Sequence, residues 1–387
     1  MILRDPMHPP AQQDCTNPLW PCAMTGAVAC LAGFENLAVI VHGSSGCYFY
    51  PASLVGAPIY GTFLVENEII FGTEERLAEV IDEVADRYEH IAVVTTCVPA
   101  ILGEDLAGVA DEHDLLLVDS PGFLGTLEAG YHAALERIRP TVDEGRQGIN
   151  IDGVSLIDPL HRGNMLEARR LLTMAGAEIG TTFCCDRFEA AYRAAPFTIG
   201  TNPDLASGVG EWYGSLLGLD AVAETFERLT DACESLDPAP VYREIASAEE
   251  RIAKACDKYL RRFEPPRVAV CGGGAYAVFV AETLERHLDA DIACICSRNH
   301  TPPSRFRVEE TVDFIRIADR LRACEPDLVI GSSYERSVLP NIPFVPLTPP
   351  VRGRVHLRAR ALAGVEGTLE LLDEVLNACM DGKQRRI

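Results

Sequence analysis

The stretch Leu37-Ala-Val-Ile-Val-His-Gly-Ser-Ser-Gly-Cys47 decides the fold of the chain. Its first five residues are apolar and mostly β-branched, which is typical of a strand buried on both faces. The runs Ile91–Thr95 and Leu115–Val118 have the same character, and residues 74–87, between the first and second of these strands, carry apolar side chains at helical spacing. This alternation of strands and helices predicts a parallel sheet with right-handed crossover connections.

The same alternation begins again twice along the chain. A second unit is predicted from strands at Ile149–Ile157 and Phe197–Ile199 and a helix at Asn164–Ala175, and a third from a strand at Arg267–Val270 and a helix at Val308–Ala323. We therefore predict an α/β protein of three doubly wound, Rossmann-like domains with parallel sheets. The predicted boundaries are 1–14 for a polar N-terminal tail, 15–145 for the first domain, 146–239 for the second, 240–264 for a connecting helix, and 265–387 for the third domain with a C-terminal helix.

The composition excludes several classes of function. The chain has 387 residues, of which 48% are hydrophobic and 24% charged, as expected for a globular protein of about two to three domains. Its net charge of −23 argues against a nucleic-acid partner and against an anionic membrane surface. No apolar run reaches the roughly 20 residues of a membrane span, and Met1–Asp14 lacks the apolar core of a signal peptide. We expect a cytoplasmic protein.

The 14 cysteines are the main chemical signal in the sequence. In a reducing compartment they are buried side chains or metal ligands more often than disulfides. Cys47 and Cys97 each follow a predicted strand, where ligands bind in open α/β sheets. Gly43 and Gly46 leave room for a bulky cofactor to approach the backbone. Thiolates suit an iron–sulfur cluster, but without a CxxC pattern the residues alone support buried packing equally well.

Three motifs in order resemble the cluster-binding region of nitrogenase component 1 subunits. They read Cys22-Ala-Met-Thr-Gly-Ala-Val-Ala-Cys-Leu-Ala-Gly-Phe-Glu35, Val41-His-Gly-Ser-Ser-Gly-Cys47 and Thr95-Thr-Cys-Val-Pro-Ala-Ile-Leu-Gly-Glu-Asp-Leu106. The loop at Ser120-Pro-Gly-Phe-Leu-Gly125 is similar to the next loop of that family, and Gly122 stands where some members have a serine that touches the cluster. The resemblance covers most of residues 15–379 and is most specific in the first domain.

The resemblance implies a site and partners. Cys22, Cys47 and Cys97 fall on the cysteines that bind the family's inter-subunit iron–sulfur cluster, and the three domains would surround a central cavity. The cluster would be 4Fe-4S or larger and lie at the interface of a homodimer or of a heterodimer with a related subunit. Cys15 is a candidate fourth ligand, with a solvent-exposed thiol in the tail as its equally supported alternative. Electrons would arrive from an ATP-dependent iron protein.

Two departures from the family pattern concern the catalytic metal cofactor, which family members hold with a cysteine of the second domain and a histidine of the third. The corresponding stretches Phe197-Thr-Ile-Gly-Thr-Asn202 and Phe344-Val-Pro-Leu-Thr-Pro-Pro350 contain neither. We therefore expect a nitrogenase-like oxidoreductase acting on another small molecule, with a tetrapyrrole as one candidate. Basic residues such as Arg298, His300 and Arg360 would suit the carboxylates of that substrate, although solvated or paired surface charge is the favoured interpretation of each.

Two alternatives stay open at this stage. A scaffold for metallocofactor assembly would use the same fold and cysteines without turnover. An NADP-linked oxidoreductase would rest on Gly272-Gly-Gly-Ala-Tyr-Ala277, which fits the G-x-G-x-x-A pattern, and on Arg298 for a 2′-phosphate. A single match of this kind is more often a tight packing turn. The sequence assigns no catalytic residue, and it contains no Walker A loop, so ATP hydrolysis would belong to a partner.

Overall fold

The computed structural model describes residues 18–233 and 235–384. It contains three sheets of parallel strands that follow one another along the chain, which confirms the predicted fold class. The strands are β1 Leu37–His42, β2 Tyr60–Gly61, β3 His90–Thr95, β4 Leu116–Asp119, β5 Ile149–Asp152, β6 Ile179–Thr182, β7 Phe197–Gly200, β8 Glu211–Ser215, β9 Arg267–Gly272, β10 Asp291–Ser297, β11 Val308–Glu310, β12 Leu328–Gly331 and β13 Phe344–Pro346.

The helices connect these strands and cover the sheets. Short 3₁₀ segments occur at Gly122–Leu124, Phe188–Arg193 and Pro203–Leu205. The α-helices are α1 Ala23–Leu31, α2 Ser45–Val55, α3 Glu66–Phe71, α4 Glu74–Ala85, α5 Cys97–Leu102, α6 Ala107–Glu112, α7 Leu127–Ile138, α8 His161–Met174, α9 Leu219–Ala232, α10 Ala239–Leu260, α11 Gly274–Leu288, α12 Phe314–Cys324, α13 Ser333–Val338 and α14 Gly364–Gln384.

The strand order shows where the direction of strand addition reverses in each sheet. It is β2-β1-β3-β4 in the first sheet, β6-β5-β7-β8 in the second and β11-β10-β9-β12-β13 in the third. In each sheet the chain therefore adds strands to both sides of its first strand. Ligand crevices of such sheets lie beyond the carboxyl ends of the strands at that reversal point.

The first sheet is buried on both faces, which explains its continuous apolar runs. Ala38 and Ile40 of β1 pack against α4, whereas Val39 and Val41 pack on the opposite face with α1 and α7. Because successive side chains of a strand alternate between faces, a strand covered on both sides needs apolar residues at every position.

Helices α1 and α7 approach each other so closely that their contact requires glycine. A Cβ on Gly26 would lie 1.8 Å from the carbonyl oxygen of Leu127, and a Cβ on Gly130 would lie 1.6 Å from that of Ala23. This crossing fixes the N-terminus of α1, where Cys22 lies, against the N-terminus of α7.

Some local predictions were wrong. The predicted helix at Val308–Ala323 begins only at Phe314, because Val308–Glu310 instead pairs with β10 as an edge strand. The predicted strand at Ile149–Ile157 ends at Asp152. The domain boundaries stay a prediction. Among the described residues, no helix is both long enough and apolar enough to cross a membrane.

Candidate functional site

The carboxyl ends of β1, β3 and β4 lie side by side at one edge of the first sheet. The turn after β1 leads into α2, whose first turn carries Cys47, and Cys97 is the first residue of α5, directly after β3. The loop after β4 leads into the 3₁₀ segment that begins at Gly122. Because adjacent parallel strands end at the same edge, the sheet positions Cys47, Cys97 and Gly122 around one crevice.

Cys22 reaches this edge from the start of α1. Its backbone forms an isolated antiparallel bridge with Thr126, directly before α7. The backbone N–H of Gly122 donates a hydrogen bond to the Sγ of Cys97 at 3.1 Å. A Cβ built on Gly122 would lie 3.1 Å from the Sγ of Cys22 and 3.3 Å from that of Cys97. Both thiols therefore face the same point beside Gly122.

The other two predicted ligands are Cys47, which the structure describes, and Cys15, which it does not. Cys47 is half-buried against the same apolar cluster as Cys22, and its Sγ accepts a hydrogen bond from the Oγ of Ser44 at 3.7 Å. Cys47 lies in the first turn of α2, after β1, and Cys97 begins α5, after the neighbouring strand β3. Cys15 lies outside the described residues.

The arrangement suits a multi-iron cluster better than one metal ion. In the described part of the chain, three ligand atoms come within 4.8 Å of one another only at Glu89, His90 and Glu189, where Arg187 pairs with both carboxylates. The three thiols are therefore spread too widely for a single ion. In an iron–sulfur cluster each thiolate binds a different iron, so a wider set of cysteines can hold it.

Two buried hydroxyl groups beside these cysteines also suit a bound polar group. Thr96 and Ser120 are fully buried at the ends of β3 and β4. Among the described residues, neither hydroxyl has a hydrogen-bond partner. Buried polar atoms are rarely left without a partner, so these hydroxyls support the presence of a polar or sulfide-containing group at this edge.

The two glycines predicted to border a cofactor differ in their surroundings. A Cβ on Gly43 would lie 2.0 Å from the Oγ1 of Thr96, so the close packing of the two turns requires glycine there. Gly46 is exposed, and a Cβ built on it would have nothing within 4 Å. Gly46 thus leaves open space beside Cys47, and a role of either glycine in binding a cofactor stays a prediction.

His42, at the end of β1, is a structural residue. Its Nε2 lies 2.8 Å from the Oγ1 of Thr73, and that hydroxyl donates to the carboxylate of Glu104. Burial lowers the pKa of His42 to about 4. The imidazole is therefore neutral near pH 7 and holds β1 against the loop that precedes α4.

The other described cysteines lie away from this edge. Cys30 and Cys184 are in contact, with their sulfurs 3.5 Å apart. A second buried group lies in the third domain, where the Sγ atoms of Cys294 and Cys324 are 3.3 Å apart. Cys271 and Cys296 complete that apolar cluster. Burial in apolar surroundings supports the sequence-based interpretation that these thiols are packing.

Exposed apolar side chains lie on the elements that carry or adjoin the cysteines. They come from α2, α3, α5 and the loop after β4, and we call this set the apolar rim. It comprises Phe49, Ile70, Phe71, Ile101, Phe123 and Leu124, which are 64%, 70%, 86%, 75%, 58% and 52% exposed. So many exposed large apolar side chains near one site are typical of a surface where another protein binds.

A cavity of about 40 Å³ that opens to solvent lies between the three domains. All three domains contribute to its wall, which contains three carboxyl groups but, in the described part of the chain, neither a basic side chain nor a cysteine. The lining residues are Trp20, Leu127, Glu128, Ser155, Ile157, Asp158, Asn202, Asp204, Leu205, Gly273, Tyr276, Leu347, Thr348 and Pro349.

The basic residues considered for the cavity wall do not line it, which agrees with the favoured interpretation that they are solvated or paired charges. Arg298 is buried in an ion pair with Glu335. Arg360 pairs with Glu374, and the exposed His300 lies 3.3 Å from Glu310. These cations are compensated by acidic neighbours outside the cavity, which removes the argument for a polycarboxylate substrate.

Burial raises the pKa values of the three cavity carboxyl groups. The pKa of Glu128 rises to about 7 because of burial, with a smaller contribution from the negative charge of Asp204 and opposing hydrogen bonds from Thr126 and Trp20. Burial also raises the pKa of Asp158 and of Asp204. The cavity wall is thus acidic, and Glu128 changes its charge near neutral pH.

The glycine-rich turn before α11 does not have a free phosphate site. The N–H of Gly274 donates to Asn299 Oδ1 at 2.6 Å, and that of Ala275 donates to the carboxylate of Asp204 at 3.1 Å. A carboxylate therefore occupies the end of the helix where a pyrophosphate would bind. Arg298 is buried away from such a ligand, so the geometry does not support NADP binding.

Sequence reasoning missed the acidic residues of the cavity. Asp158 and Asp204 follow β5 and β7 and thus obey the same carboxyl-end rule that identified the cysteines. Applying that rule to carboxylates in the second domain would have found them. Glu128 gave no comparable signal, because it lies in the first turn of α7, where acidic residues are common.

Comparisons with known proteins agree with this fold. The family model described as "Nitrogenase component 1 type Oxidoreductase" matches residues 22–380. The nitrogenase iron-molybdenum cofactor biosynthesis protein NifE of Bradyrhizobium diazoefficiens is 24% identical, over 94% of this chain and 75% of its own. The nitrogenase molybdenum-iron protein beta chain of Methanococcus maripaludis is 23% identical, over 94% of both chains. The solved structure "Nitrogenase Cp1 at pH 6.5" matches 100% of this chain and 96% of its own, with a TM-score of 0.81 and 18% identity.

Proposed function

The chain belongs to the nitrogenase component 1 type oxidoreductases, and we propose that it is the iron–sulfur component of a two-component reductase. The observation that carries this proposal is the pair of thiols, Cys22 and Cys97, that face one point beside Gly122, with Cys47 in the first turn of the helix that follows the adjacent strand. In this proposal an ATP-dependent iron protein supplies the electrons, and a small molecule in the central cavity receives them.

Cys22, Cys47 and Cys97 would hold the cluster, which supplies reversible one-electron storage when bound. A fourth ligand would come from Cys15 or from a second subunit. The N–H of Gly122, which donates to the Sγ of Cys97, would disperse negative charge on that thiolate and so raise the reduction potential. Half-burial of the three thiols leaves the cluster close to the surface, where a partner can reach it.

Trp20 connects the proposed cluster site to the cavity. It lies two residues before Cys22, lines the cavity and donates a hydrogen bond from Nε1 to Glu128 Oε1 at 2.9 Å. Thr126, the bridge partner of Cys22, donates to the same carboxylate at 2.8 Å. With a cluster held at the cysteines, this short connection would link it to a ligand in the cavity, where Glu128 would hold or release a proton.

The apolar rim supports a subunit interface around the cluster. Burying its side chains would stabilise an assembly by roughly 25 cal/mol for each Å² removed from water. We propose a homodimer, or a heterodimer with a related subunit, in which the rim of one subunit contacts its partner beside the cysteines. Such contact would also exclude water from the cluster.

A scaffold for metallocofactor assembly is the second candidate, and similarity to the NifE protein favours it. The cavity supports the reductase instead. Its described lining offers neither a thiol nor an imidazole to hold a metal cluster during assembly. An organic substrate needs no such ligand. Transfer of ⁵⁷Fe to an acceptor protein distinguishes the two candidates. A scaffold transfers its ⁵⁷Fe-labelled cluster, whereas a reductase retains it.

The test of the cluster is the iron and acid-labile sulfide content per chain after anaerobic purification, with EPR of the reduced protein. We expect about four irons per chain. Cys22→Ser, Cys47→Ser and Cys97→Ser should each lose most of the iron, whereas the matched variant Cys233→Ser, at the end of α9, should retain it. Full iron content in Cys97→Ser, or no iron in the parent chain after reconstitution, would exclude the proposal.

A further inference from the structure

We propose that the central cavity binds a small organic cation, of the ammonium type, rather than an anion. The inference rests on the proposed function only in taking this cavity as the ligand site. It is carried by three features of the wall, namely its uncompensated carboxyl groups, a buried hydroxyl without a partner and two aromatic rings held beside the carboxyl groups.

The charges of the wall all have one sign. Glu128, Asp158 and Asp204 come from the first and second domains and line one cavity. His161 lowers the pKa of Asp158 and His300 lowers that of Asp204, each by less than burial raises it, and neither histidine lines the cavity. A cationic ligand would compensate this charge, whereas an anionic ligand would add to it.

Ser155 is an independent sign that a ligand binds here. The residue is 1% exposed and lines the cavity. In the described structure its Oγ has no hydrogen-bond partner. A buried hydroxyl without a partner is destabilising, and a ligand carrying N–H groups would satisfy it as a hydrogen-bond acceptor.

The aromatic side chains of the wall are fixed beside the carboxyl groups. The Nε1 of Trp20 donates to Glu128, and the Oη of Tyr276 donates to Asp158 Oδ2 at 2.6 Å. Tyr276 also accepts a hydrogen bond from the Nδ2 of Asn164 at 2.8 Å. Aromatic faces attract cations, so rings and carboxylates together recognise an ammonium group and its alkyl substituents.

The raised pKa values of these carboxyl groups agree with this assignment. Burial is the main cause of each shift. A bound ammonium group would add a positive charge beside the carboxyl groups and return their pKa values toward the ordinary range. Ligand binding should therefore weaken as the pH falls below about 7, where Glu128 becomes protonated.

The test uses three probes of equal length and different charge, namely n-butylammonium, n-butanol and butyrate. The chain has only two tryptophans, so the Trp212→Phe variant leaves Trp20 in the cavity wall as the fluorescent reporter. Titrations at pH 8 and constant ionic strength should show a saturable change in Trp20 emission with butylammonium and at least tenfold weaker binding of butyrate. Equal or tighter binding of butyrate, or no response to butylammonium, would overturn the inference.

Two further variants separate local recognition from general charge. Glu128→Gln should weaken butylammonium binding about tenfold, and Ser155→Ala should weaken it several-fold. Glu136→Gln removes one exposed charge from the same helix, α7, and should leave binding unchanged. An equal loss in the Glu136 and Glu128 variants would overturn the assignment. Iron content measured on the same preparation tests the proposed function separately, because iron without cation preference refutes only this inference.

Discussion

The backbone N–H of Gly122 donates to the Sγ of Cys97 at 3.1 Å, on the side where a Gly122 Cβ would also meet the Sγ of Cys22. Gly122 therefore lies in contact with two of the three proposed ligands. Its backbone sets the orientation of one thiol, and its missing side chain leaves space between both.

Gly122→Ala should disturb the cluster more than the fold. The added methyl group would lie 3.1–3.3 Å from two sulfur atoms, which must then shift by a few tenths of an ångström. We expect a lower iron content per chain and an altered EPR signal, with a loss in unfolding free energy of about 1–3 kcal/mol. Gly108→Ala, at an exposed helical site with nothing within 4 Å, should change neither iron content nor EPR signal. An unchanged cluster in Gly122→Ala would argue against contact between this loop and the cluster.

Gly130→Ala should be among the most destabilising single substitutions in the first domain. Its methyl group would lie 1.6 Å from the carbonyl oxygen of Ala23, so α1 and α7 would have to separate. Overpacking of this kind typically costs about 1–3 kcal/mol, and backbone contact places it at or above the upper end. Chemical denaturation should show this loss, together with loss of iron, because Cys22 precedes α1. Wild-type stability in this variant would contradict the described helix crossing.

The sequence was sufficient to predict the cysteine edge of the first sheet. Strands β1 and β3 are apolar at almost every position, so their ends, and hence Cys47 and Cys97, could be placed from pattern alone. The resemblance then added Cys22. Its placement depends on the glycine contact between α1 and α7, a tertiary packing feature that local periodicity does not reveal.

Only part of the acidic cavity could be predicted in the same way. Asp158 and Asp204 follow strand ends, but Glu128 lies in the first turn of α7, where an acidic residue is ordinary. By contrast, the basic residues of the third domain are conspicuous in the sequence, but ion pairs such as Arg360 with Glu374 compensate them elsewhere. Charge pairing depends on three-dimensional neighbours, so a list of basic residues does not show which of them line a cavity.

His42 should make the protein less stable as the pH falls. Its pKa is about 4 in the folded state and about 6.5 when exposed, so the unfolded chain binds more protons between these values. Stability from this residue is complete above pH 6.5 and is lost on acidification toward pH 4. His42→Gln, which retains an amide near Thr73, should show a shallower decline of the denaturation midpoint between pH 6.5 and 4.5. His300→Gln, at a fully exposed side chain, is the matched control. Parallel profiles for wild type and His42→Gln would refute the buried neutral imidazole.

Glu128, unlike His42, should make the protein less stable as the pH rises. Its pKa of about 7 exceeds the ordinary value of 4.5, so the folded chain binds more protons between these values and loses stability as the pH rises through that range. Because Trp20 donates to this carboxylate, its emission in the Trp212→Phe variant should titrate with a midpoint near pH 7. Glu128→Gln should remove the titration and gain stability relative to the parent as the pH rises from 4.5 to 7. A midpoint near 4.5 would show that the carboxyl group is solvated and not buried.

Arg298 and Glu335 form an ion pair whose side chains are 1% and 0% exposed. Ser332 donates from its N–H and Oγ to the same carboxylate at 2.7 and 2.6 Å, so Glu335 joins the end of β10 to the start of α13. Glu335→Gln keeps an acceptor for Ser332 but leaves a buried guanidinium without its counter-charge. We expect a loss of about 3–5 kcal/mol in unfolding free energy.

The double variant Arg298→Met with Glu335→Gln separates charge from packing. Removing both charges takes away the buried unpaired cation, so the double variant should be more stable than Glu335→Gln alone. Urea denaturation of the four proteins in this cycle measures the coupling. The double variant could instead lose as much unfolding free energy as the two single variants together. The two side chains would then not interact, which would contradict the ion pair between Arg298 and Glu335.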